Sequence, residues 1–140
     1  MTKALHTLVR LREMELDALR REVAIFYREI DAIEDKQRDL SKQLVNEQVY
    51  LTRMEGVTTY ALFAQSAREW QAELEQEKVA AESKVASKMA QISQAFEALK
   101  TAQIARDNAV AKENERRAKA DQDALDEAAL TRFARQDDPF

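Results

Sequence analysis

The residues that could do chemistry in this chain are few and scattered. Adjacent carboxylates stand at Glu34-Asp35 and Asp126-Glu127, and a carboxylate pair can divide general-acid and general-base roles between its members. Such a pair needs a concave site to perturb it. A chain that is helical throughout offers none, so a solvated face is expected. His6 is the single histidine and reads as a solvated N-terminal side chain. A phosphate-cradling loop of the GxxxxGK type needs two glycines, and the chain has one, Gly56. With no cysteine there is no disulfide framework and no CxxC metal site. We therefore expect no enzyme, no cofactor and no metal.

The elements that carry these charges follow from the composition. One glycine and one proline in 140 residues leave almost no turn chemistry for packing several short elements. Ala, Glu, Lys, Leu and Arg dominate, which with a heptad-like period reads as coiled coil. The net charge is −4 and neither half is strongly basic, so no nucleic acid is implied as a partner. No apolar run is long enough to span a bilayer. The opening Met1-Thr2-Lys3-Ala4-Leu5-His6 lacks the apolar core of a signal peptide. A soluble cytoplasmic helical rod, without direct membrane insertion, is expected.

Stepping alternately by four and three from Leu5 gives Val9, Arg12, Leu16, Leu19, Val23, Phe26, Ile30, Ile33, Gln37, Leu40, Leu44, Glu47, Leu51 and Met54. All but Arg12, Gln37 and Glu47 are apolar. That is a coiled-coil seam, narrower than the stripe of a globular helix. It predicts a first helix over about 2–55, roughly 75–80 Å long at about 1.5 Å per residue. The three polar interruptions either fix register and partner number at some cost in stability or soften the rod locally.

The turn is predicted at Gly56, Val57 and Thr58. Gly56 suits the left-handed position that ends a helix. The Thr58 hydroxyl can cap the next helix, and Val57 with Leu62 then fall at the two positions of a hydrophobic staple. A second helix is expected over about 59–135, followed by a frayed tail at 136–140, all within a single coiled-coil domain over 1–140.

On the second helix, Phe63, Ala67, Trp70 and Leu74 form one apolar run, and Val85, Met89, Ile92, Phe96 and Leu99 a second. Folding the chain at the turn pairs Met54 with Tyr60, Leu51 with Phe63, Glu47 with Ala67, Leu44 with Trp70 and Leu40 with Leu74. Farther out, a register shifted by one residue pairs Ile30 with Val85, Phe26 with Met89, Val23 with Ile92, Leu19 with Phe96, Leu16 with Leu99 and Leu5 with Val110. One slip between Leu74 and Val85, near Gln37, reconciles the two blocks, because a 3.6-residue helix drifts against a seven-residue repeat. The predicted fold class is all-α, a long two-helix antiparallel coiled-coil hairpin with an overhanging second helix.

The turn falls early, so the first helix runs out opposite Val110. Residues from about 111 to 135 would project roughly 35–40 Å alone. The i,i+4 pairs Glu113–Arg117 and Glu115–Lys119 support helix there, yet a lone helix is only marginally stable in water. Leu125, Ala129 and Phe133 share one face at i, i+4 and i+8, flanked by Ala128 and Leu130. This end is read either as a partner site or as a weak dimer seam. Trp70 is read either as core or, because two helices cannot bury an indole fully, as an exposed interface anchor.

These residues resemble a known family. Thr7-Leu8-Val9-Arg10-Leu11-Arg12 is similar to the opening of FliJ proteins, the soluble component of the bacterial flagellar export apparatus. The stretch from Gly56-Val57-Thr58-Thr59-Tyr60 through Phe63 resembles that family's hairpin turn. Ala95-Phe96-Glu97-Ala98-Leu99-Lys100 and Leu125-Asp126-Glu127-Ala128-Ala129 are similar to two further signatures. The resemblance covers nearly the whole chain and implies a two-helix stalk similar to the central-stalk coiled coil of rotary ATPases. It implies a cytoplasmic protein, peripheral at the membrane-bound export apparatus. Its implied partners are the hexameric export ATPase FliI, whose ring assembly and activity it promotes, the export-gate protein FlhA, and export chaperones. By carry-over, Leu8, Arg10, Leu11, Leu125, Leu130 and Phe133 would meet the ATPase ring. Phe63, Ala67, Trp70 and Leu74 would meet the gate, although the register above places these four on the seam.

Three other readings stand beside this one. The same architecture would serve as the ATPase stalk of a virulence-type injectisome. A generic coiled-coil scaffold would satisfy its apolar faces by self-association. A holdase chaperone would grip unfolded clients with the aromatic residues near the turn.

Overall fold

In a computed structural model of the chain, residues 2–53 and 57–136 are described, the side chains at 51, 52 and 57–59 excepted. The fold is all-α, and two helices pack against each other: α1, Thr2–Arg53, and α2, Val57–Gln136. Val57 and Thr58, expected in the turn, belong to the first turn of α2, which starts two residues before the predicted boundary. Helix ends read from sequence carry an uncertainty of that size. Gly56, Met54 and the expected cap and staple side chains of Thr58 and Val57 lie outside the described residues, as does the Leu51 side chain.

Contacts group the chain into two compact units, Met1–Met14 with Phe96–Phe140, and Glu15–Ala95. In the Glu15–Ala95 unit the buried residues of α1 are Leu16, Val23, Ile30, Ile33 and Leu40, with Leu19, Phe26, Gln37 and Leu44 half-buried between them. This is the predicted seam of α1, except that Glu47 at its far end is exposed. A carboxylate with no partner is cheaper to leave in water than to bury. Ile33, Leu40, Ala67 and Leu74 form one core cluster, and Leu44 packs against it. Burying a leucine or isoleucine side chain of this kind contributes roughly 1.5–3 kcal/mol.

The face that α2 presents differs from the predicted one. Its buried or half-buried positions in this unit open with Tyr60, Phe63 and Ala64 and run on from Ala67 through Gln71, Leu74, Lys78, Ala81, Val85, Lys88 and Ile92 to Ala95. From Ala67 the steps alternate between four and three without a break, so the expected slip between Leu74 and Val85 is absent. Trp70 and Met89, placed on the seam by sequence, are about half exposed beside it. Alanines at 67, 81 and 95 recur every fourteen residues along this face, leaving room for the larger side chains of α1.

The polar residues on this seam are paired across it. Gln71 donates its Nε2 to Ser41 Oγ at 3.4 Å, and Lys78 Nζ lies 3.4 Å from Glu34 Oε1. Lys88 Nζ lies 2.6 Å from Glu22 Oε2. Gln37 on α1 donates its Nε2 to Glu75 Oε2 at 3.0 Å. The Lys84 ammonium sits 5.7 Å from the centre of the Phe26 ring, within cation–π range. Partner numbers on α2 fall as those on α1 rise, so the helices of this unit run antiparallel.

Candidate functional site at the unpartnered end of α2

The other unit brings the start of α1 onto the later part of α2. Val9, Leu99 and Ala102 are buried there, and Leu5, Leu8, Arg12, Arg106, Ala109 and Val110 are half-buried. Phe96, predicted on the seam, is instead exposed, and Ala95 and Leu99 lie at the seam positions on either side of it. Lys100 covers part of the Phe96 ring, its Nζ 5.0 Å from the ring centre. The Thr2 hydroxyl donates to Glu113 Oε2 at 3.3 Å.

Beyond Glu113 every described residue of α2, from 114 to 136, is exposed. The helix persists because its residue types favour it: alanine is frequent, and Arg117 donates to Glu113 Oε1 at 2.9 Å one turn back. Gln122 donates to Asp126 at 3.1 Å in the same i,i+4 relation. The predicted apolar residues stand open to solvent, Leu125 at 65%, Leu130 at 69% and Phe133 at 63%.

Those three do not form one face. Leu125, Ala128, Ala129, Arg132, Phe133 and Gln136 line a shallow groove along the helix, while Leu130 does not contribute to it. Successive residues advance about 100° around an α-helix, which sets Leu130 well to the side of Leu125. Arg132 and Gln136 were not singled out from the sequence. Their spacing at i+7 and i+11 from Leu125 is the signal that places them on this face. An arginine there can lay its aliphatic stem on the apolar stripe and keep its charge in water.

At the start of α1, Arg10 and Leu11 are exposed and Leu8 is half-buried, so two of the three residues expected beside this site are accessible. The second candidate set divides more sharply. Ala67 and Leu74 are buried in the core of the Glu15–Ala95 unit. They are unavailable to a partner while the helices stay packed. Phe63 is half-buried, and Trp70 is 49% exposed, lining a groove with Lys36, Asp39, Leu40 and Gln43 of α1. The indole sits beside the seam because Gln71 occupies it.

Among the described residues no group of three His, Cys, Asp or Glu side chains is placed to hold a metal ion, and no helix is long and apolar enough to cross a membrane. No protein-family model, no curated protein and no solved structure matches this chain.

Proposed function

We propose that this protein is a stalk and adaptor of a flagellar-type export system, binding and stimulating a hexameric export ATPase and linking it to the export gate and export chaperones. The observation that carries this reading is the helix beyond Glu113, exposed at every described position and bearing the Leu125–Ala129–Phe133 stripe. A lone helix is marginal in water and gains most of its stability by packing its apolar face, and the central hole of a ring would supply that surface. The order of the four sequence stretches that resemble FliJ proteins names the kind of ring. Fold alone carries no function, so the weight rests on this end of the molecule. Differential contact with the ring's subunits would bias their conformations. At the other set, Trp70 and Phe63 are the accessible residues for a gate contact, and Ala67 and Leu74 support them from within.

Co-purification with the flagellar export ATPase tests the assignment. Deleting residues 124–140 is expected to abolish capture of the ATPase while leaving the circular-dichroism signature of the packed helices. Undiminished capture by the shortened chain would remove the end of α2 from the contact. Capture by an injectisome ATPase in preference to the flagellar one would move the protein to that system.

A further inference from the structure

We infer that the helices of the Glu15–Ala95 unit have a second register, reached when α2 slides half a heptad along α1, and that the slide withdraws Trp70 from the surface. Neither register depends on the export reading.

In the resting register, the contacts Ser41–Gln71, Glu34–Lys78 and Glu22–Lys88 set Leu40 level with Gln71, Ile30 with Ala81, Phe26 with Val85 and Val23 with Lys88. Of these α2 partners only Val85 is large and apolar. Trp70 and Met89, each about half exposed, stand one residue to the side of Gln71 and Lys88, on opposite flanks of the seam. Moving α2 by three residues near the turn and four farther out is a slide of about 5–6 Å. It sets Leu44 level with Trp70, Leu40 with Leu74, Ile30 with Val85, Phe26 with Met89 and Val23 with Ile92. Every one of these pairs is apolar on both sides. Between its two flanks α2 then uses fifteen residues, Trp70 to Val85, where α1 uses fourteen, Leu44 to Ile30. That is a local unwinding of the kind a helix drifting against the heptad accommodates.

Each register holds something the other gives up. The slide buries the indole of Trp70 and the thioether of Met89, which favours it. It also parts Lys88 from Glu22 and Lys78 from Glu34. Glu77 and Glu82, both exposed in the resting register, come level with Gln37 and Ile33, where a carboxylate loses water. Ala67 and Ala81 on the resting seam present no large knob to lock the helices in place. Opposed terms of this kind leave two discrete packings close in free energy. A partner that grips the exposed indole binds the resting register alone and therefore holds it.

The chain has one tryptophan and no cysteine, so fluorescence reports the register and paired substitutions can lock it. A disulfide forms only between neighbouring Cβ atoms. Phe26→Cys with Val85→Cys should link in the resting register and leave the Trp70 emission of the full chain unchanged. Phe26→Cys with Met89→Cys should link more slowly, shift that emission to the blue and reduce its quenching by acrylamide. Without any cross-link, Glu77→Leu with Glu82→Leu should give the same blue shift, because it removes the two carboxylates that oppose the slide. A single register is shown if the 26–85 pair links and the 26–89 pair does not. Trp70 emission that stays unshifted in the 26–89 disulfide, or in the double leucine variant, would also overturn the inference. So would linking of Phe26→Cys to Ser87→Cys, on an exposed face of α2, as readily as to Met89→Cys, since that marks loose helices in place of a second register.

Discussion

The Thr2 hydroxyl and the Glu113 carboxylate, far apart in sequence, meet at 3.3 Å. Because α1 begins at Thr2, this contact marks where α2 loses the company of α1. Up to Glu113, α2 has buried or half-buried positions every three or four residues; from 114 to 136 it has none. The free end therefore follows from the unequal lengths of the two helices.

The register of the Glu15–Ala95 unit can be checked with two substitutions. Leu74 is 2% exposed in the core cluster, so Leu74→Ala should cost about 2–4 kcal/mol of stability in urea unfolding. Trp70→Ala removes a larger but half-exposed side chain, and should cost less than Leu74→Ala. The reverse ranking would put Trp70 on the seam and restore the slipped register.

Alanine at the seam makes the opposite kind of prediction. Ala81 is buried on the face that α2 turns to α1, and Ala81→Leu should overpack it and lower stability by about 1–3 kcal/mol. Thermal unfolding followed by circular dichroism reads this directly. A stabilising effect would mean that the site has room, and that the helices lie farther apart than described.

The pair of Lys88 and Glu22 is close, at 2.6 Å, but its side chains are 27% and 48% exposed. Solvent screening limits such a pair to about 1 kcal/mol or less. Glu22→Gln should therefore cost a few tenths to about 1 kcal/mol at low salt, and the difference should shrink as salt screens the pair. Paired denaturation curves at two ionic strengths would show it.

Hydrogen exchange should divide α2 near Glu113. Amides on the packed length around Leu74, Ala81 and Leu99 should exchange slowly, since their opening requires the helices to separate. Those from 114 to 136 should exchange much faster, because an unpacked helix frays and re-forms readily. Protection at the far end equal to that at the seam would contradict an unpartnered helix.

Much of this architecture was legible in sequence, and the part that was not has a physical cause. On α1 nearly every seam position is a large apolar residue, so hydropathy and burial coincide from Leu5 to Leu44. On α2 they separate. Its seam carries Ala67, Gln71, Lys78, Ala81, Lys88 and Ala95, small or polar residues that hydropathy passes over, while Trp70, Met89 and Phe96 sit one step away and attract the eye. Following the large residues produced a slip that the helices do not need. The usable signal was the step of seven from Ala67 through Leu74, Ala81, Lys88, Ala95 and Ala102. At the free end, the spacing of Leu125, Ala129 and Phe133 revealed the stripe. Leu130 flanks that face in the sequence and is a candidate ring contact only by the family resemblance; a helix sets it to the side of the stripe.

The proposed action of the exposed stripe at the end of α2 on an ATPase ring is open to direct measurement. Its most direct test is ATP turnover by the hexameric flagellar export ATPase, measured alone, with this protein, and with the variant carrying Leu125→Asp and Phe133→Asp. Both substituted positions are solvent-exposed, so the variant should keep its fold. The account predicts higher turnover with the unaltered protein and a return to the basal rate with the variant. Equal stimulation by both proteins, or none by either, would contradict it.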